Sequence, residues 1–535
     1  MRHFISFFII AVIAGFVFSD CARRGRPEGG PKDEDAPIMV TAKPPYLTTN
    51  FKEKEIRIYF DEYIKLKDLQ KQLIVSPPLK YQPVITPLGM PSKYISIKIS
   101  DTLRENTTYT FNFGQSVIDN TEGNVLRNFK YVFSTGDVID SLEVSGSVRD
   151  AFEREADKNV VVMLYEYNEP FNDSIVYKEK PYYVGSTLDT TTWSITNIKG
   201  GKYFMVALKD ADNNYMFNPK TDKIAFLDQA VTIPGDSNVV LNLFREKIPF
   251  QADRASELAK GHLLLGFKGS KDSIVVNPLD EGPDFKGMYV MQQGKDSLDY
   301  WFRNNKADSI ALKIQRAAVS DTLLVRLRAK NVDSLGISSS VKGTLDLRDT
   351  LRLYGNIPLV AIDTAKIRFI DSDSARIAYR PVLLNSTVRN GVELHFEKKY
   401  NTKYKLKVYP QAITDFFGNS NKDTLNYNFS TKSPADYGNL YLTLQNVASY
   451  PIIVQLLREN GETVESVYAT EAQEFRFLNL VPAKYRIRVI YDENKNHHWD
   501  TGNFLLKRQP EKVVYYPEVI DVRANWEMTE TFVLN

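Results

Sequence analysis

The chain has 535 residues, 43% hydrophobic and 25% charged, and its 68 Lys and Arg against 66 Asp and Glu leave a net charge of +2. That balance excludes disorder along the whole length and an electrostatic nucleic-acid binder, and at roughly 100–200 residues per domain it predicts about three to five domains. Tyr and Phe number 30 each against 1 Cys and 5 His, which favours strands and leaves thiol, imidazole and zinc chemistry few residues to work with.

Met1, Arg2 and His3 open the chain, and residues 4–18 are an apolar run broken only by Ser6 and Gly15. A positive start before a short apolar run is the shape of a secretory signal, whereas a membrane span needs about 20 apolar residues. Cys21 follows at once, placed like the lipidation cysteine of a bacterial lipoprotein, whose thiol receives a diacylglycerol. Asp20 departs from the small residue usual before such a cysteine. Plain secretion, or an uncleaved anchor, is the alternative. Residues 1–21 are thus expected to be the signal and lipidation site, and 22–37, rich in Gly, Pro and charge, a flexible tether. Without a cysteine pair, each later domain must be held by its core alone.

Beyond the tether the chain predicts an all-β protein of tandem sandwiches. Alternating runs recur at 55–60, 94–99, 109–113, 404–408 and 485–489, each with one apolar and one polar row, separated by Asn, Asp, Gly and Pro clusters. Two short helices are expected, at 63–73 and 253–260. Five units follow at 38–138, 139–250, 251–344, 345–433 and 434–535.

Internal repeats organise these units. Asn106, Tyr109, Asp119 and Tyr131 recur in order as Asn401, Tyr404, Asp415 and Tyr427. Residues 195–217 align without a gap on 477–499, with Asn197, Lys202, Tyr203, Asp210 and Asn214 returning as Asn479, Lys484, Tyr485, Asp492 and Asn496. The order is therefore A, B, a β-rich middle unit, then A and B again. A tethered chain of this kind reads as a rod.

The first A unit resembles the SbsA-type bacterial Ig-like domain. The residues that carry the likeness are Ile56 through Glu62, Ser76-Pro77-Pro78, Asn106 to Tyr109, Asp119 to Asn124 and Phe133 to Gly136. Together with Cys21 and the Gly29-Gly30-Pro31-Lys32-Asp33 stretch, it is similar to Ig-like domain-containing lipoproteins of the Bacteroidota. The match spans residues 21–138 and is fainter in the second A unit. The B units resemble transthyretin-like or carboxypeptidase-regulatory-like sandwiches on a looser pattern. The resemblance implies spacer, adhesive or assembly roles and carries over no catalytic residue.

The sharpest local motif is the loop that begins at Asp492. Asp492, Asn494, Asn496 and Asp500 put oxygens at loop positions 1, 3, 5 and 9, the alternation that aims ligands at a calcium ion. His497 stands where such loops need glycine, and Asn503 cannot supply a bidentate carboxylate. An Asx-rich turn without metal fits the same residues. Asp210, Asp212 and Asn214 form a weaker counterpart. His497 and His498, being adjacent, point apart on a strand, and His262 and His395 lie in apolar strand-like stretches as partly buried residues.

Catalysis has no local support. There is no Gly-x-Ser-x-Gly elbow, and the glycines at 261, 266 and 269 lack the lysine that a phosphate loop requires. Asp61-Glu62 and Asp371 to Asp373 are carboxylate neighbours of the kind expected on any surface. Trp193, Trp301, Trp499 and Trp526 belong to cores or cross-strand pairs, or else to a sugar-stacking platform. The aromatic stretch 165–183, with Tyr167, Phe171, Tyr177 and Tyr182, is the best candidate for a binding loop. The expected function is a non-catalytic cell-envelope lipoprotein, held by lipid most readily at the outer membrane, displaying its domains to an envelope protein. The alternatives are a carbohydrate-binding adhesin and, behind it, a hydrolase. No cofactor is expected beyond calcium, and no nucleic acid.

Overall fold

Strand Glu55–Leu66 shows how the sequence builds its sheets. Ile56, Ile58, Phe60 and Ile64 are buried while Arg57 and Asp61 face out, the period-2 pattern of a half-buried strand. The computed structural model describes residues 33–168, 171–270, 273–279, 282–303, 307–386 and 389–534. These residues are almost wholly strand and turn, arranged as tandem two-sheet sandwiches.

In the first A unit, Met39–Lys43, Glu55–Leu66, Ser92–Lys98 and Val84–Thr86 make one sheet, and Ile74–Ser76, Thr108–Asn112 and Lys130–Ser134 the other. Ile58, Ile95, Ile97, Phe111 and Phe133 fill the space between. The two B units share a topology. In the first, Tyr183–Ser186, Val161–Glu166, Gly201–Lys209 and Lys223–Phe226 lie in one sheet, and Thr192–Ile198, Leu142–Asp150 and Val239–Leu243 in the other. In the second, the same places are taken by Thr463–Ala469, Ile452–Arg458, Ala483–Tyr491 and Val513–Tyr515, and by Glu474–Leu480, Gly438–Gln445 and Glu527–Val533. In both, the last strand pairs parallel to the first.

The internal repeats have an atomic counterpart. The Tyr109 hydroxyl accepts the Arg104 N–H at 2.9 Å, and the Tyr404 hydroxyl accepts the Lys399 N–H at 2.9 Å. In the B units Tyr203 donates to the Lys199 carbonyl at 2.8 Å and Tyr485 to the Val481 carbonyl at 2.7 Å. Each bond gives a buried ring a partner for its one polar atom and fixes the chain a few residues upstream.

Of the two expected helices, residues 63–73 keep one turn, Leu69–Gln72, and residues 63–66 continue the strand. Residues 253–260 form none. They lie in strand Gln251–Ala259, paired with His262–Lys268, because the tight connection at Gly261 (φ 80°) closes a hairpin that outweighs the local helix preference. Pairing also draws Ile337–Ser339 and Gly343–Thr344 into the sheets of the second A unit, ahead of its expected start at 345.

The units do not form a rod. Neighbouring units meet through specific contacts, and at the joint from the first B unit to the middle one Phe250 packs in the middle unit's core. Val184 N–H donates to Ser76 Oγ between the first A and B units, and Trp301, Ile357 and Phe416 cluster between the middle and second A units. Arg348 donates to the Leu478 carbonyl between the second A and B units. The second B unit then returns to the first, where its Phe504 is buried in the first unit's aromatic cluster. Four units thus make a closed circuit.

Gly146 reports on the first B sandwich. A Cβ there would fall 1.9 Å from the Val239 carbonyl oxygen and 2.8 Å from Trp193. Gly146→Val is expected to cost at least about 1–3 kcal/mol, through overpacking, and to lower the thermal midpoint. Gly282→Ala, which meets nothing within 4 Å, should leave it unchanged.

Candidate functional site: a clasp between the two B units

The loop after strand Ala483–Tyr491 is built from Asp492 outward. This fully buried carboxylate accepts the Asn496 N–H at 3.1 Å and the His497 N–H at 2.9 Å. The turn it closes puts His497 at φ 68°, the left-handed conformation that glycine would otherwise supply. Asn494 Oδ1 accepts the Asn496 N–H, and Asn496 Oδ1 accepts the His498 N–H. Both amides turn their nitrogens to Asp500, which also takes the Lys247 ammonium of the first B unit at 2.5 Å. Burial raises the Asp500 pKa, but Lys247 and the two amides overrule it and hold the group down to about 2. Beside it, Glu511 accepts the N–H groups of Glu493 and Asp500. Burial, aided by the Asp492 and Asp500 charges, pushes Glu511 up.

The structure therefore brings Asp492, Asn494, Asn496 and Asp500 together, with their oxygens engaged in turn bonds and an ion pair. A calcium ion would have to displace Lys247 and reverse both amides. The counterpart loop has the same logic: Asp210 accepts the Tyr215 N–H at 2.7 Å, and Tyr215 has φ 60°. Among the described residues, no group of three or more His, Cys, Asp or Glu is placed to hold a metal.

Beyond Asp500 the loop crosses into the first B unit. Thr501 donates to the Arg245 carbonyl at 2.7 Å, and the Phe504 N–H donates to Glu246 at 2.6 Å. The Phe504 ring lies 5.3 Å from Phe226, 6.0 Å from Tyr177 and 6.1 Å from Phe204, with no exposed surface. Lys507 pairs with Asp173 at 2.8 Å and lies over the Phe504 ring, while Gln509 bonds the Phe226 carbonyl and Asp228. A second contact lies alongside. Phe152 of the first unit sits between Trp499, 4.5 Å away, and the Arg488 guanidinium, 3.9 Å above its ring. Arg488 is buried, and Gln455 and the Tyr515 hydroxyl accept its N–H groups. The result is an aromatic anchor ringed by charge pairs and hydrogen bonds, the anatomy of a protein–protein contact.

The remaining sequence candidates divide. Cys21 lies outside the described residues. Of the aromatic stretch 165–183, Phe171 and Tyr177 pack against the cluster that receives Phe504. The residues at 261–269 are the turn and second strand of the hairpin with Gln251–Ala259. Asp61 accepts the Ile38 N–H from the neighbouring segment, and Asp371 accepts those of Asp373 and Ala375 and so holds its own turn. Trp193 and Trp301 are buried and Trp499 lies in the clasp; Trp526 is 51% exposed, so the four make no common platform. A polar depression of about 650 Å³ on the second A unit is lined by Lys366, Pro410, Gln411, Ser420, Asn421 and Lys422, and offers no carboxylate or imidazole. His395 is on a strand but exposed, its ring on Glu393, because its row faces solvent.

His262 has more structure than its sequence context suggests. One ring nitrogen is 2.8 Å from Asp333 and the other 3.0 Å from Asp299, and the ring stacks on Trp301 at 4.8 Å. Asp333 lies in the connection to the second A unit, so the pair pins that connection, and Trp301 packs against Ile357 beyond it. Burial alone would lower the His262 pKa, but the two carboxylates raise it above 6.5.

Phe504, Phe152, Lys247 and Arg488 were not evident as a site. Two signals pointed to them. Residues 160–165 and 203–208 are apolar without alternation, as a sheet covered on both faces must be. The second B loop also runs far past Asp500 before Val513, whereas the first is back in strand at Lys223, and the extra length carries Phe504, Leu505 and Leu506.

The fold and its closure define a chain of tandem all-β sandwiches of Ig-like type. Residues 33–135 match the bacterial Ig-like domain family. No curated protein shows significant similarity to the chain. Among solved structures, domains 1–6 of the surface layer protein SbsC are similar at 10% identity, over 91% of this chain and 67% of that one, with a TM-score of 0.15. BcpA, the major pilin subunit of Bacillus cereus, is similar at 9% identity over 74% and 99%, and a stretch of titin domains at 11% over 52% and 99%, both with a TM-score of 0.14.

Two outcomes test this geometry. Phe504→Ala is expected to cost about 3–5 kcal/mol of the closed form's stability, read as a lower denaturation midpoint and a larger radius of gyration by X-ray scattering. For His262, a folded pKa above the unfolded value makes its contribution full below about pH 6.5 and lost as pH rises through the raised value. The thermal midpoint of the wild type should therefore fall, relative to His262→Gln, across that rise.

Proposed function

We propose that the chain is a non-catalytic envelope lipoprotein, tethered through Cys21, whose closed set of sandwiches serves as a structural and protein-docking body. One observation carries the non-catalytic part. The buried loop carboxylates Asp119, Asp415 and Asp492 each accept backbone N–H groups of their own turn and are committed to holding it. No helix among the described residues is long and apolar enough to cross a membrane. The apolar run 4–18, then Cys21, then a polar tether supports anchoring by lipid, with the outer membrane as the natural site. Intact mass and detergent partitioning of the expressed chain beside Cys21→Ala test it. A lipid-sized mass gain with membrane partitioning, both lost in the variant, is expected. An unmodified soluble protein in both cases would refute the anchor.

A second reading, glycan binding, draws on one feature of the first A unit. Tyr59 and Tyr94 lie 5.7 Å apart on an outer sheet face, with Tyr94 41% and nearby Tyr63 54% exposed. Under this reading, Tyr94→Ala should abolish retention on immobilised envelope polysaccharide while leaving the thermal midpoint unchanged.

A further inference from the structure

We propose that the clasp is exchangeable: the Phe504 loop of one copy closes into the aromatic socket of a second copy, giving a reciprocal dimer of this chain.

The cores support it first. The second B unit's core, from Leu440 to Leu534, is made entirely of its own residues. The first B unit has its own inner core, from Val144 to Leu243. In the outer cluster of the first unit, Phe504 is the one member from beyond residue 244 among the described residues. Withdrawing the plug therefore leaves two complete sandwiches and breaks neither sheet.

The character of the contact points the same way. A buried ring surrounded by Lys247–Asp500 and Lys507–Asp173 pairs is how separate proteins meet. Opened, the socket would expose Phe204, Phe226 and Phe244. The plug would expose Phe504 beside Leu505 and Leu506, which are 61% and 73% exposed even when it is seated. Both surfaces are too apolar to stay bare.

The connection supplies the partner. Plug and socket are joined covalently only through residues 251–433, and nothing in the socket distinguishes its own plug from that of an identical chain. Each copy carries one of each, so when two copies exchange plugs reciprocally no socket is left open and the assembly closes at two chains with two-fold symmetry. Copies crowded by a shared membrane anchor would meet more often, which rests on the function proposed above, but the exchange itself does not depend on the anchor.

The test uses the full chain with Cys21→Ala, so that failure to dimerise is separate from failure to be lipidated. Copies bearing two different affinity tags are mixed, opened briefly in mild urea and returned to buffer. Co-purification of the tags and a dimer mass by light scattering are expected. Phe504→Asp in both copies should lower the dimer fraction about tenfold or more, in keeping with loss of an anchor residue, and leave an expanded monomer. Gly502→Val is a second variant, confined to the loop. Its Cβ would lie 2.7 Å from both the Phe244 ring and the Arg508 carbonyl oxygen, and it should act as Phe504→Asp does. A wild type that returns wholly monomeric, or variants that co-purify as well as the wild type, would overturn the proposal.

Discussion

The burial of one phenylalanine from the C-terminal unit decides the arrangement of the chain. Phe504 completes an apolar layer on the outer face of the first B unit's larger sheet, a layer that also takes in Ile74 from the first A unit. Three units thus share one cluster, and the middle and second A units are held as the bridge that joins its ends. Sheets of this kind ordinarily leave one face to water. Here Met163, Tyr165, Phe204 and Val206 on the outer face are as deeply buried as Val162, Leu164 and Met205 on the inner. Such a face is stable only while something covers it, so the first B unit's sequence presupposes the closure.

The two B units show how one loop design was turned to different ends. Both begin with a buried aspartate that gathers backbone N–H groups and drives the sixth residue into the left-handed region. In the first unit the chain returns to the sheet at once, and Asp222 closes the loop by accepting the Ala211 and Asn218 N–H groups. In the second the loop runs on to reach its partner; Glu511 takes the closing role by accepting the Glu493 and Asp500 N–H groups, and the Asp500 carboxylate forms an ion pair with Lys247. The outer faces differ to match: where the first unit is apolar, the second carries Gln455, Arg488 and Tyr515, and its buried guanidinium meets the ring of Phe152.

Much of the fold was legible because its signals are local. Alternation at 55–60 or 485–489 marks strands, and the Asn, Tyr and Asp recurrences mark units whose hydrogen bonds prove to be the same. The helix expected at 253–260 failed because a hairpin partner outweighs residue preference. The clasp was hidden for another reason. A loop phenylalanine reads as an incidental apolar residue until the surface that receives it is known, and that surface is formed by residues more than 250 positions away. The Asp492 loop suits a calcium loop or an Asx-rich turn for a related reason: composition reveals how many oxygens are present, not which N–H groups they accept.

Closure also limits how such a chain can meet a partner. In a rod every unit would present two faces and both ends. In a circuit the inner contacts are spent, and the Asp333–His262–Asp299 bridge with Trp301 stiffens the joint opposite the clasp. The first A unit stands outside the circuit, joined to it through Ile74, Ser76 and the Arg104–Tyr182 contact. Its outward sheet, with Tyr59 and Tyr94, is left uncovered, as is the apolar edge around Tyr81, Val84, Leu88 and Met90. These surfaces lie on the unit that directly follows residues 22–37, the segment proposed above as a tether. Under the anchoring proposed above, a partner that docks there would meet the chain close to Cys21, while the closed circuit fixes the direction in which the remaining domains project.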